Sequence, residues 1–253
     1  MFKRSIFCAC LLIAFPGAGF AQEPTVEFEG RYWITDLDAE VKAVSSGVGE
    51  KFDLKSDLGI DDEDFPEGRF YWHTGPNSKI RLSYTQADFD GDQNATQTIQ
   101  FEGQTFTVGT RVISGLDIKY FGIGWIWQFL NLSEDKIKIG SIVEVKGLSA
   151  EVSLDAPTLG VSESEEFFGG LPTVGLALDI SPIDKIKLFA EVSGIGAGDL
   201  GYFFDTEAGI KIMPFKHFSI IAGYRAIGIK AEDDPDFVKF DLNGPFFGAT
   251  LKF

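Results

Sequence analysis

The chain has 253 residues and a formal net charge of −16, from 38 acidic and 22 basic side chains. That balance excludes a nucleic-acid binder, because phosphate affinity needs clustered Lys and Arg. Beyond the amino-terminal segment no stretch approaches 18 consecutive apolar residues, although 44% of the chain is hydrophobic and Gly (29) and Phe (25) are abundant; this excludes transmembrane helices and favours thin, alternating strands.

Lys3 and Arg4, the apolar run 5–15 and the small residues Gly19 and Ala21 read as a secretory signal cleaved after Ala21. The run is too short to span a membrane as an anchor. Cys8 and Cys10 both lie in it, with too little apolar sequence before either for a lipoprotein. The domain expected after cleavage, 22–253, therefore carries no disulfide, thiol nucleophile or thiolate metal site. Cleavage removes two basic and no acidic side chains, which moves the net charge to −18.

The first predicted strand, 25–41, puts Val26, Phe28, Gly30, Tyr32 and Ile34 on one face and Glu27, Glu29, Arg31 and Thr35 on the other. An acidic connection, 44–67, leads to a short second strand, 68–74, which ends in Gly75-Pro76-Asn77-Ser78. Pro fixes φ there, and Gly and Asn tolerate positive φ. The third strand, 79–89, alternates Ile80, Leu82 and Tyr84 with Lys79, Arg81 and Ser83, and 90–109 reads as a long connection with a small hairpin at 101–106. The fourth, 110–130, alternates Leu116, Ile118 and Tyr120 with Asp117 and Lys119. Its apolar residues then change parity at Ile123, Trp125 and Trp127, so a bulge near Gly122 or Gly124 is expected. The fifth, 136–152, sets Ile137, Ile139, Val143 and Val145 against Lys138, Glu144 and Lys146, with a similar change at Gly147; a third long connection, 154–170, carries Glu163, Glu165 and Glu166. Strands at 171–180, 186–192, 202–213, 218–229 and 237–253 complete the series.

The connections alternate in kind. Those at 75–78, 131–135, 181–184 and 214–217 are tight, and those between them are acidic or Gly-rich. Transmembrane barrels show this asymmetry, with an even number of strands. The fold class is therefore all-β: an up-and-down antiparallel transmembrane barrel of ten strands, with eight or twelve as alternatives, short periplasmic turns and longer outer loops. A soluble periplasmic sandwich, which also alternates, gives no reason for the asymmetry. Trp72, Trp125, Trp127, Phe215, Phe218 and Phe253 fall near the turn end, as an interfacial girdle does.

The chain closes on Phe247, Ala249, Leu251 and Phe253 along one face. This resembles the closing strand of Gram-negative outer-membrane barrels, whose terminal aromatic is read by the barrel-assembly machinery. With the signal segment, it makes the chain similar to the small OmpA/OmpW-type barrels. The resemblance implies residence in the cell outer membrane after Sec-dependent export and contact with lipid and lipopolysaccharide. It also implies Phe253 as assembly signal, a monomer, and a structural, adhesive or narrow-pore role.

Charges of both signs are expected inside the barrel: Arg31, Arg81, Lys119, Glu144, Glu191, Glu207 and Arg225 foremost, with Glu27, Glu29, Arg69, Asp117, Lys138, Lys146, Asp179, Lys187, Asp205, Lys211 and Lys252. A lumen little wider than that of eight strands is filled by side chains, and buried charges must pair. An ion-paired plug is expected, with a narrow water or ion path as the alternative. Asp61, Asp62, Asp88, Asp90 and Asp92 are candidates for a loop-bound divalent cation bridging to lipopolysaccharide, against a merely solvated, repulsive surface. The Asp88-x-Asp90-x-Asp92 spacing is not an EF-hand, since Gln93 and Ile99 stand where Gly and Glu are required. No other cofactor is expected. The two histidines, His73 and His217, sit at tight turns with no triad partner, so the reading is non-enzymatic. Its alternative is an outer-leaflet enzyme acting on lipid A or peptides through loop carboxylates.

Overall fold

The computed structural model describes residues 25–42, 52–101, 104–196, 198, 201–233 and 236–253. The segment read as a signal and the start of the acidic connection lie outside them. In chain order the elements are β1 (Thr25–Trp33), β2 (Asp36–Lys42), β3 (Phe52–Asp53), α1 (Leu54–Leu58), β4 (Phe65–Gly75), β5 (Ser78–Asn94), β6 (Ile99–Phe101), β7 (Gln104–Phe106), β8 (Arg111–Leu132), β9 (Ile137–Ala156), β10 (Val161–Ile183), β11 (Ile186–Gly196), β12 (Gly201–Phe215), β13 (Phe218–Asp233) and β14 (Asp236–Lys252).

The wall is a closed antiparallel barrel of ten strands. β1 and β2 act as one strand, because both pair with β14 in continuous register and Ile34 N–H bridges the break to Pro245 O at 3.0 Å. β1 pairs with β4 along its other edge, and the β1–β14 pairing closes the ring. At that seam Val26 and Phe253 exchange backbone hydrogen bonds of 3.0 and 2.8 Å. The expected small hairpin is β6–β7.

Two expectations fail for one reason. No bulge occurs at Gly122, Gly124 or Gly147: β8 keeps unbroken register with β5, and with β9 until Gln128. Along β8 the odd residues face outward throughout, with Asp117 and Lys119 followed by Phe121, Ile123 and Trp127. The even residues Leu116, Ile118 and Tyr120 are buried inside. The surroundings invert, not the strand. At the turn end the outside is apolar and the inside charged; at the rim end the outside is polar and the inside apolar. β9 does the same, with Val143 and Val145 outside below Glu151, and Glu144 and Lys146 inside below Leu154 and Ala156.

The stretch 154–170, expected as a connection, is for the same reason mostly strand. β9 and β10 stay paired from Ile137↔Ile180 up to Ala156↔Val161, leaving a tight turn. Polar residues such as Glu166 lie outside on wall that rises above the apolar belt. That belt runs on β8 from Phe121 to Leu132. At ~3.4 Å per residue and a tilt of ~40° it is roughly 28 Å tall, the height of a hydrocarbon layer.

The rim-end interior holds the apolar core, where Trp33, Phe65 and Phe89 meet edge-to-face at 5.4 and 6.2 Å. The acidic connection contributes to it. Asp53 caps α1 by accepting from Ser56 N–H at 2.6 Å, and Gly59 ends the helix at φ 69°. Leu54, Leu58 and Ile60 are thereby inserted into the barrel mouth. The approach needs Gly91, where a Cβ would lie 2.7 Å from Leu58 O. Ile99, Phe101 and Phe106 of the β6–β7 hairpin complete the cover.

Candidate functional site: the charged lumen

Alternation places acid and base two residues apart on the same inward face, so several strands carry a ready-made pair. Arg31 Nε donates to Glu29 at 2.7 Å, Arg69 Nε to Glu67 at 3.0 Å, and Lys146 Nζ reaches Glu144 at 3.3 Å. Ring closure then joins these pairs across the lumen. Glu207 of β12 accepts from Arg31 at 2.9 and 3.3 Å and from Arg69 at 3.0 and 2.7 Å. Arg225 forks onto Asp205 at 3.0 and 2.8 Å and donates to Glu67 at 2.9 Å. Lys146 also donates to Asp205. Arg81 bonds Glu144 at 2.9 and 2.5 Å and Glu191 at 2.5 Å.

The lattice is nearly dry, with Arg31, Glu67 and Arg225 side chains no more than 3% exposed. A cavity of about 10 Å³, lined in part by Arg69, Arg81, Glu144 and Glu207, remains; that is room for about one water. Cations stack against aromatic rings where the lattice meets the apolar core: Arg31 lies 4.3 Å from the Phe246 centroid and Arg225 5.0 Å from that of Trp33. Burial of such charges is tolerated only because each is paired and hydrogen-bonded. The arrangement can fill and rigidify a barrel.

Of the charges expected inside, Arg31, Arg81, Glu144, Glu191, Glu207 and Arg225 point into the lumen. Lys119 does not, and neither does Asp117. Both stand outside on β8, above the belt, because the strand keeps one parity while its surroundings change. Glu67 is central to the lattice although the sequence pattern places it in the acidic connection; the signal for it is its spacing of two from Arg69. Tyr120, whose hydroxyl donates to Asp205 at 3.2 Å, carried no such signal.

The metal candidates are dispersed. Asp88, Asp90 and Asp92 lie on the outer face of β5, not in a loop, and strand spacing holds successive same-face residues ~7 Å apart. Asp92 pairs with Arg111 at 2.6 and 2.8 Å. Asp61 is exposed and its N–H donates to Asp90 O at 3.3 Å. Asp62 accepts from Lys55 at 2.7 Å and from Leu37 N–H at 2.9 Å. Partial burial raises its pKa, but those two donors outweigh that and hold the carboxyl below its ordinary range. Among the described residues no group of three or more His, Cys, Asp or Glu side chains is placed to hold a metal ion. His73 Nε2 contacts Glu27 at 2.9 Å and His217 Nδ1 contacts Lys252 O at 2.9 Å, both at the turn end. Phe253 is exposed at the seam, its ring 6.3 Å from that of Phe28.

This closed ten-strand wall, with its apolar belt and charged interior, is the architecture of an outer-membrane β-barrel. No family model and no curated protein matches the chain. Among solved structures it is similar to the outer membrane protease OmpT of Escherichia coli, with TM-score 0.65 at 7% identity over 94% of this chain and 99% of that one. It also matches the translocator domain of the autotransporter NalP from Neisseria meningitidis (TM-score 0.47, 10% identity, 90% of this chain and 88% of that one) and the attachment invasion locus protein Ail of Yersinia pestis (0.40, 11%, 92% and 100%). At these identities the likeness is one of fold.

Proposed function

We propose that the protein is an integral, non-enzymatic barrel of the Gram-negative outer membrane, closed to solutes, whose tall polar rim is a surface-exposed structure. The observation that carries this is the lumen: an ion-paired layer with room for about one water, under an apolar layer that α1 seals. Two stacked plugs of opposite chemistry favour an anchor over a pore. In this reading the tight turns face the periplasm, the rim faces outward, Phe253 is the signal read during assembly, and the barrel is a monomer contacting lipid and lipopolysaccharide. Single-channel recording of refolded protein in planar bilayers tests it. Silence is expected, and resolved, ion-selective steps refute the closed lumen.

The likeness to a protease favours one rival, an enzyme working from rim carboxylates such as Asp61 and Asp62. Against it, the chain has only two histidines and both lie at the turn end. Turnover of peptides or lipid A that is lost in Asp61→Asn or Asp62→Asn establishes the rival.

A further inference from the structure

Below the ion-paired lattice the lumen changes sign. Lys79 of β5, Lys187 of β11 and Lys211 of β12 point inward there, and the nearby carboxylates are Glu27, Asp179 and Glu29, the last already bonded to Arg31 at 2.7 Å. Lys187 and Lys211 are direct register partners, so two ammonium-bearing side chains start ~5 Å apart on one face, which is unfavourable unless something offsets it.

The available carboxylates are already shared. Asp179 receives Gln128 at 2.9 Å and Lys187 only at 3.4 Å. Glu27 serves His73 at 2.9 Å, Lys252 at 3.3 Å and Lys211 at 3.3 Å, and Glu29, which Lys211 reaches at 3.5 Å, is held by Arg31 at 2.7 Å. Lys79 Nζ rests 4.9 Å from the Tyr71 ring centroid and, among the described residues, has no carboxylate within ion-pair distance. Solvent reaches the site, since the Lys187 side chain keeps 34% of its exposure and Lys211 keeps 16%. The Arg81–Glu144–Glu191 layer closes it from above. The result is a dead-ended cationic cup opening at the turn end.

We propose that this cup binds a phosphate-bearing anion from the turn side, held by Lys79, Lys187 and Lys211. A multivalent oxyanion is the chemistry that offsets several lysines at once, and lysine serves as a phosphate binder by point charge. The proposal goes beyond a closed barrel and stands whether or not the lumen conducts.

The test uses refolded protein in neutral detergent, with inorganic pyrophosphate as probe and sodium chloride at matched ionic strength as reference. Pyrophosphate at millimolar concentration raises the temperature of the heat-modifiable gel transition by several degrees, and Lys79→Gln/Lys187→Gln loses that shift. The outward Lys119→Gln keeps it. A shift reproduced by chloride, or retained in the double variant, overturns the proposal. In case the double variant does not fold, labelling of the wild type with an amine-reactive reagent provides a second readout. Pyrophosphate slows modification of Lys187 at least fivefold relative to Lys119, and equal slowing of both overturns the site. Repeating the titration with an anionic phospholipid in the micelle separates the sources: a persisting shift supports a soluble ligand, and its loss supports a lipid headgroup as the phosphate in the cup.

Discussion

Glu207 is the point at which the lumen is most exposed to a single change. Its two oxygens accept from both Arg31 and Arg69, at 2.9 and 3.3 Å and at 3.0 and 2.7 Å. Glu207→Gln keeps the side-chain volume but leaves one acceptor oxygen and turns an N–H toward a guanidinium. Each hydrogen bond to a charged group is worth ~1.5–3 kcal/mol, and removing one partner from a buried ion pair costs about 3–5 kcal/mol. The expected loss is therefore about 3–5 kcal/mol, an unfolding constant raised by roughly 10² to 10³ or more. Urea unfolding in lipid vesicles, followed by tryptophan fluorescence, measures it. Replacing the cluster together (Glu29→Leu, Arg31→Met, Arg69→Met, Glu207→Leu), with Glu67 still held by Arg225 at 2.9 Å, should recover most of the loss, because an apolar set of similar volume carries no unpaired desolvated charge. A loss below ~1 kcal/mol, the range of solvated surface pairs, would refute the reasoning by showing that water already screens the lattice.

Gly124→Ala places a Cβ 2.3 Å from Glu144 Cγ, so Glu144 must leave Arg81; the same unfolding assay should show about 1–3 kcal/mol of destabilisation. Above the belt, Asp88, Asp117, Glu151 and Glu166 are consecutive partners across β5, β8, β9 and β10, all facing outward. Asp117→Asn should therefore stabilise the barrel by ~0.2–1 kcal/mol at low salt, and an unchanged gain at high salt argues against like-charge repulsion. Asp62 is held below the ordinary carboxylate range in the folded protein. Its contribution is thus present above the unfolded carboxylate pKa and lost as pH falls through the folded value. Hydrogen exchange at the Leu37 amide should accelerate as the pH drops through the acid range, after correction for intrinsic rates, and Asp62→Asn should remove that pH dependence.

Much of this was legible because strand alternation is written directly in the order of side chains. The two faces of each strand, the tight turns at one end and most of the lumen charges follow from period two and turn chemistry alone. Glu67 reads as part of a connection because the acidic residues before it hide the start of β4. The stretch 154–170 read as a connection because its exterior is polar, as a loop's would be.

From its order of residues alone, the chain determined that opposite sides of each strand differ in polarity and that the strands can join into a ring. It left open where along a strand the medium on each side changes. Only the closed barrel decided that, since its wall passes from a hydrocarbon-height belt into water while the interior passes from ion pairs to packed rings. Polarity is a difference between two neighbours, so when both environments exchange along one strand, Lys119 can share a face with Ile123, and nothing local to either residue reports it.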